Sequence, residues 1–322
     1  MADPKARQRL LADVEAEPGS PKPDPILVVD DIVRQFGGMT AVDVGHMEVQ
    51  RGIITALIGP NGAGKTTFFN LITGFDEPTS GKRAHWSFDG NKLDKTSASN
   101  VARAGMVRTF QLTKALSRMT VIDNMMLGAQ GQAGENLFKS MIKPLWARQE
   151  KQIEEKAREL LDRFSLLEKK DDFAGSLSGG QRKLLEMARA LMSDPKMIML
   201  DEPMAGVNPA LTQSLLQHIQ SLRDEGMTVL FVEHDMHVVR HISDWVAVMA
   251  EGRLVAEGSA DAVMSNAAVI DAYLGAHHDT DLGDDSLISD EAMEKMAEEV
   301  AAEDAEREAE LDEQARGAEE KA

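Results

Sequence analysis

The stretch Ile53-Ile54-Thr55-Ala56-Leu57-Ile58-Gly59-Pro60-Asn61-Gly62-Ala63-Gly64-Lys65-Thr66-Thr67 decides the fold. Its first six residues are apolar or β-branched and read as a buried strand. The strand runs straight into Gly59, and Thr66 to Leu71 reads as the opening of a helix. Strand, glycine-rich loop and helix together form the setting in which a phosphate-binding loop works. Gly59, Gly62 and Gly64 let the backbone approach phosphate and turn successive N–H groups inward. Lys65 is expected to reach the β- and γ-phosphates, and the Thr66 hydroxyl to ligate Mg²⁺. Asn61 and Thr67 complete the expected nucleotide-binding set, so ATP or GTP binding with Mg²⁺ is predicted.

Downstream, Leu177-Ser178-Gly179-Gly180-Gln181 forms a small-residue turn at the start of a helical pattern. Free N–H groups and the helix dipole favour an anion there, although plain helix capping uses the same geometry. The apolar run Met197–Leu200 ends in Asp201-Glu202. A carboxylate at that strand end suits a Mg²⁺-bound water, and the next one can act as general base toward an attacking water. Alone, such a pair reads as a solvated strand end; with a P-loop in the chain, both groups must share one metal. His234 follows another apolar run, Thr228–Val232, where it can hydrogen-bond a γ-phosphate. Gln111, in Thr109-Phe110-Gln111, can present an amide to the metal or the water, though a polar loop residue is the plainer reading. His234, His237 and His241 have the spacing of a helical metal face, but without nearby cysteine that reading is weak.

The remaining pattern is α/β. Ile26–Val29, Trp245–Met249 and Arg253–Ala256 read as strands. Glu150–Leu167, Leu184–Met192 and Pro209–Arg223 carry apolar residues at helical spacing. Short apolar runs alternating with helices predict a doubly wound, largely parallel sheet. Residues 1–25, rich in proline and charge, are expected to be a disordered leader.

Composition narrows the classes further. The 322 residues carry a formal charge of −19 and no cysteine, which excludes disulfides and thiolate chemistry. Residues 277–322 hold 18 Asp and Glu against 4 Lys and Arg. So acidic a chain is not built for nucleic acid or anionic lipid, which require basic surface. No apolar run is long enough to span a bilayer, and the N-terminus lacks a secretion signal. A cytoplasmic protein that reaches a membrane only through partners is expected.

Taken in order, these motifs resemble those of the ATP-binding subunits of ABC transporters over residues 26 to about 275. By that resemblance Gly59–Thr66 is the Walker A loop, Gln111 the Q-loop glutamine and Leu177–Gln181 the signature. Met197–Asp201 is the Walker B strand, Glu202 the catalytic base, His234 the switch histidine, and Phe36 the aromatic residue that stacks on adenine. The resemblance implies a P-loop NTPase (RecA-like) core with an antiparallel β subdomain and an α-helical signature subdomain at about residues 112–192. It implies ATP hydrolysis coupled to transport by a dimer in which Ser178, Gly179, Gly180 and Gln181 meet the partner's ATP. Permease subunits and, indirectly, a solute-binding protein are the further partners implied.

Phe36–Val42, Arg108–Gln111, Met119–Asn124, Ala205–Pro209 and Ala272-Tyr273-Leu274-Gly275 are similar to the importers of branched-chain amino acids, as is the insert Leu127 to Glu150. Asn208 departs from the aspartate most ABC ATPases carry there, though this importer type shares it. The tail 276–322, read as disordered or partly helical, matches nothing in the family pattern. An exporter or lipid-extraction motor is the alternative within the class. A soluble ABC protein of translation or repair is disfavoured, because the chain has one cassette and no coiled coil.

Overall fold

The computed structural model describes residues 11–79, 85–94, 96–109, 116–132 and 146–276. Gln111 therefore lies outside the described residues, as do most of the insert, residues 1–10 and the acidic tail from 277.

Among the described residues, ten strands fall into two sheets. β1 (Pro25–Phe36), β2 (Met39–Gln50), β4 (His85–Phe88) and β5 (Asn91–Lys92) form an antiparallel sheet in the order β2-β1-β4-β5. The second sheet runs β10-β9-β3-β8-β7-β6, from β3 (Ile54–Ile58), β6 (Met106–Arg108), β7 (Met197–Asp201), β8 (Thr228–Val232), β9 (Trp245–Ala250) and β10 (Arg253–Gly258). Its strands are parallel except for the β9–β10 hairpin. Helices α1 (Lys65–Ile72), α2 (Ala98–Arg103), α3 (Val121–Met126), α4 (Ala147–Arg163), α5 (Gly179–Leu191), α6 (Pro209–Asp224), α7 (Met236–Ile242), α8 (Ala260–Met264) and α9 (Ala267–Ala276) connect or cover them.

The parallel strands read as unbroken apolar runs because both faces are buried. Side chains alternate between two cores. Ile54, Ile58, Ile198, Leu200, Val229, Phe231, Val246 and Val248 enter one core with the packed faces of α4, α5 and α6. Leu57, Met197, Met199, Leu230, Val232, Ala247 and Met249 enter the other. There they meet Phe68 and Phe69 of α1 and the apolar face of β1 and β2. The P-loop helix is thus clamped between the sheets.

Two expectations change. The first strand is not the short Ile26–Val29 run but continues to Phe36. Asp31 adopts a left-handed backbone (φ 49°) between the Asp30–His46 and Ile32–Val44 pairs, where the register runs on unshifted. The leader, read from composition as disordered through residue 25, is packed over residues 11–24. Leu11 is buried with Ile53 and Trp245. The Lys22 ammonium donates to Glu257 Oε2 at 3.0 Å and to the Ser20 carbonyl at 2.6 Å, and lies 4.7 Å from the centre of the Trp245 ring. Both side chains of this ion pair are 0% exposed. Lys22 lies in the stretch read as disordered, and its carboxylate partner is far away in sequence, on β10.

Removing one member of such a pair strands the other charge in the interior, at a cost of about 3–5 kcal/mol. Burial already pushes the Glu257 carboxyl upward, with Lys22 opposing. Without Lys22, Glu257 escapes the penalty by binding a proton, which is easier at low pH. Denaturant unfolding of Lys22→Met is expected to show a loss of about 3 kcal/mol at pH 8 and a clearly smaller one at pH 5.5.

Candidate functional site

The C-terminal ends of β3, β8 and β7 lie side by side, and each delivers one functional loop. β3 leads into Gly59, β8 into Glu233-His234, and β7 into Asp201-Glu202. A crevice outside the carboxyl ends of parallel strands is where open α/β sheets bind ligands.

The P-loop is shaped by close packing. A Cβ on Gly59 (φ 146°) would lie 2.0 Å from the Met249 carbonyl oxygen, and one on Gly64 (φ 96°) 2.3 Å from that of Ala41. Behind the loop, Gly252 donates its N–H to Ala63 O at 3.0 Å and accepts from Asp43 N–H at 2.7 Å, tying the hairpin to both the loop and β2. No side chain caps α1, whose first turn begins at Lys65. Its first N–H groups lack intrahelical partners, a ready site for phosphate oxygens. Asn61 and Thr66 are exposed, Thr67 is partly so, and Lys65 is buried. Lys65 Nζ donates to the carbonyls of Gly59 (2.5 Å) and Pro60 (3.0 Å). Burial lowers its pKa, while the charges of Glu202 and Asp201 act in the opposite sense. Those three expected residues therefore share one electrostatic neighbourhood. The cradle fits polyphosphate: Gly59 and Gly64 where a side chain would clash, an uncapped helix start and a buried ammonium.

Asp201 has a partner that motif reading did not assign. Arg108, at the end of β6, donates to Asp201 Oδ2 and to Asn70 Oδ1, each at 2.6 Å. This nearly buried pair links the neighbouring strand and the back of α1 to the acidic strand end. Glu202 holds a left-handed backbone (φ 46°), rare for a residue with a side chain. Its N–H donates to Val232 O (3.0 Å), and its carbonyl accepts from Ala205 N–H (3.1 Å). His234 is an exposed side chain beside a buried one, Glu233, which sequence reading also missed. The available signal was a carboxylate placed directly after the apolar run Val229–Val232. No three metal-binding side chains converge among the described residues, His237 and His241 included.

The glycine turn opens α5. Ser178 caps α5: its hydroxyl accepts from Gln181 N–H (3.2 Å), and the Gln181 amide oxygen accepts from Ser178 N–H (3.0 Å). A Cβ on Gly180 would meet Leu211 Cδ1 at 2.4 Å, and one on Gly179 would lie 3.6 Å from Gly206 O. The neighbours of this turn are thus the loop after Glu202 and the start of α6, which Asn208 caps by accepting from Leu211 N–H at 2.9 Å. Phe36 is 45% exposed at the end of β1, with the Arg34 guanidinium 4.4 Å from its ring centre.

On α5, Glu186 is buried, and one of its oxygens has no hydrogen-bond partner. A small cavity lies between it, Thr109 and Asp201. Burial pushes its carboxyl up to about 7, against the pull of Lys183 and Arg189.

Comparison with known proteins agrees with this geometry. Residues 42–205 match the ABC transporter family, and residues 253–279 the branched-chain amino acid ATP-binding cassette transporter family. A probable branched-chain amino acid transport ATP-binding protein LivG of Archaeoglobus fulgidus is 40% identical over 251 residues, 78% of this chain and 96% of that one. The high-affinity branched-chain amino acid transport ATP-binding protein BraF of Pseudomonas aeruginosa is 39% identical over 253 residues, covering 78% and 98%. Among solved structures, a nucleotide-free ATP-binding cassette from an ABC transporter superposes with a TM-score of 0.67 at 37% identity, covering 77% of this chain and 98% of that one. A cassette in its ADP conformation gives the same TM-score at 36% identity, covering 78% and 99%. The chain belongs to the ABC transporter ATP-binding family, whose members bind nucleotide and hydrolyse ATP to drive transport. No helix among the described residues is long and apolar enough to cross a membrane.

A buried carboxyl whose folded pKa is raised costs stability once pH exceeds its unfolded value, because the folded state then holds more protons than the unfolded one. Glu186→Gln removes that cost. The substitution is expected to raise Tm at pH 8 and to change it little at pH 5, as scanning calorimetry would show.

Proposed function

We propose that this chain is the motor of an importer for branched-chain amino acids or related small solutes, and that the three adjacent strand ends carry its ATP chemistry. The observation that carries this reading is that the segments bearing Lys65, Glu202 and His234 leave adjacent ends of β3, β7 and β8, with Lys65 in the field of Glu202 and Asp201. The amides of Gly62, Gly64, Lys65 and Thr66, with the Lys65 ammonium, hold the phosphates. Phe36 offers its free ring face to adenine. Thr66 and Asp201 would supply hard oxygen donors suited to Mg²⁺, with Gln111 as a third ligand from the segment that follows β6 in sequence. When bound, Mg²⁺ neutralises charge on the phosphates. Arg108 fixes one oxygen of Asp201 and so orients the other. Glu202 accepts a proton from the attacking water, and His234 donates a hydrogen bond to the γ-phosphate.

Ser178 and Gly180 act on a different nucleotide. They sit beside the Gly206 loop, with Ser178 and Gly179 exposed to solvent and Gly180 buried against Leu211. In a dimer each such turn closes over the partner's P-loop, so one complete site needs two chains. The second chain is either a copy or a sister ATPase, and permease helices dock near Gln111. The similarity to LivG and BraF proteins supports the cargo class.

Glu202→Gln keeps the shape of the loop and removes the base. Steady-state ATPase activity is expected to fall by at least ~100-fold. ATP should still bind and should drive the variant into a dimer resolvable by size-exclusion chromatography. Normal turnover by this variant would sink the assignment of Glu202.

A further inference from the structure

The loop that carries Glu202 is strained and must be held by something. A left-handed backbone at a side-chain-bearing residue persists only where its surroundings over-determine it. Glu202 N–H reaches back to Val232 O, the last carbonyl of β8, at 3.0 Å. Two residues further on, Met204 N–H donates to Glu233 Oε1 at 3.1 Å. The other oxygen of the same carboxyl, Oε2, accepts from His234 N–H at 3.2 Å. Glu233 is thus one buried group with an oxygen on each of two functional loops. Its side chain is 2% exposed, against 64% for His234.

We infer that Glu233 is a positioning residue that sets Glu202 and His234 in register with each other across the ends of β7 and β8. It touches no reacting atom itself. Its two hydrogen bonds fix the exit of the Glu202 loop and the backbone from which the His234 side chain projects. A carboxylate suits this task better than an amide, because both oxygens accept and both facing groups are N–H donors. Such bonds to a charged acceptor are roughly twice as strong as neutral ones. Burial raises the Glu233 carboxyl from its ordinary value, while the Met204 and His234 amides and the His234 side chain pull it down.

This inference rests on the catalytic roles proposed above for Glu202 and His234, so the test includes a variant of that base. Glu233→Gln preserves volume but turns an NH₂ group toward one of the two N–H donors, breaking one bond. In the full-length chain, kcat for ATP is expected to fall about tenfold, with KM for ATP within about twofold of wild type. Melting temperature should barely move, and hydrogen exchange at the Met204 or His234 amide should quicken. Wild-type kcat in Glu233→Gln beside an inactive Glu202→Gln would overturn the positioning role and leave the base assignment standing. A kcat loss matched by a rise in KM and a lowered melting temperature would show a merely structural carboxylate and overturn it too. Turnover by Glu202→Gln would instead remove the reading on which both stand. Glu233→Ala, which loses both bonds, should cost more kcat than Glu233→Gln. An equal or smaller loss would count against the inference.

Discussion

The contact between Gly59 and the Met249 carbonyl is the constraint on which the rest depends. No side chain fits there, so the P-loop lies directly on the end of the neighbouring strand. The same crowding recurs at Gly64 against Ala41 and at Gly252 against Ala41 and Val42. Loop, hairpin and antiparallel sheet are stacked with backbone against backbone. Such a stack leaves little freedom for the amides that face phosphate, and fixed dipoles need no reorganisation when charge arrives. Phe68 and Phe69, buried between the sheets, hold the helix behind the loop in the same frame.

Around that frame the electrostatics are arranged in pairs. The Lys65 ammonium is buried but lies in the field of two carboxylates. Asp201 is held by Arg108 from the next strand, and Arg108 is shared with Asn70 on α1. Three elements that a motif scan treats separately are therefore joined through one guanidinium. Glu186 is the exception, a carboxyl turned toward the same region without a partner for one oxygen, on the helix that Ser178 caps.

What the sequence made legible follows from locality. β3, β7, β8 and β9 were readable because both their faces are apolar, and α1 because a loop of defined glycine spacing precedes it. β2 went unread, since polar Asp43, His46 and Glu48 break its run, and β4 to β6 are too short to show a period. Lys65, Glu202 and His234 stood out through contiguous motifs. Arg108 and Glu233 did not acquire their present meaning that way. Each acts on a residue from another strand, and only the sheet order β3-β8-β7-β6 brings those residues together. Residues 11–24 were misread for a related cause: a charge looks solvated until its distant partner is known.

That distant partner also sets an order of events in the life of the chain. Lys22 and Glu257 stand 235 residues apart, and β10, which carries Glu257, is the last strand of its sheet. At typical rates of synthesis the leader leaves the ribosome on the order of 10 to 50 seconds before its binding site exists. Until then Lys22 stays hydrated, and Ile53 and Trp245 lack the cover of Leu11. Residues 11–24, made long before β10, are therefore among the last to settle, and their docking reports that the nucleotide-binding sheet is complete to its edge.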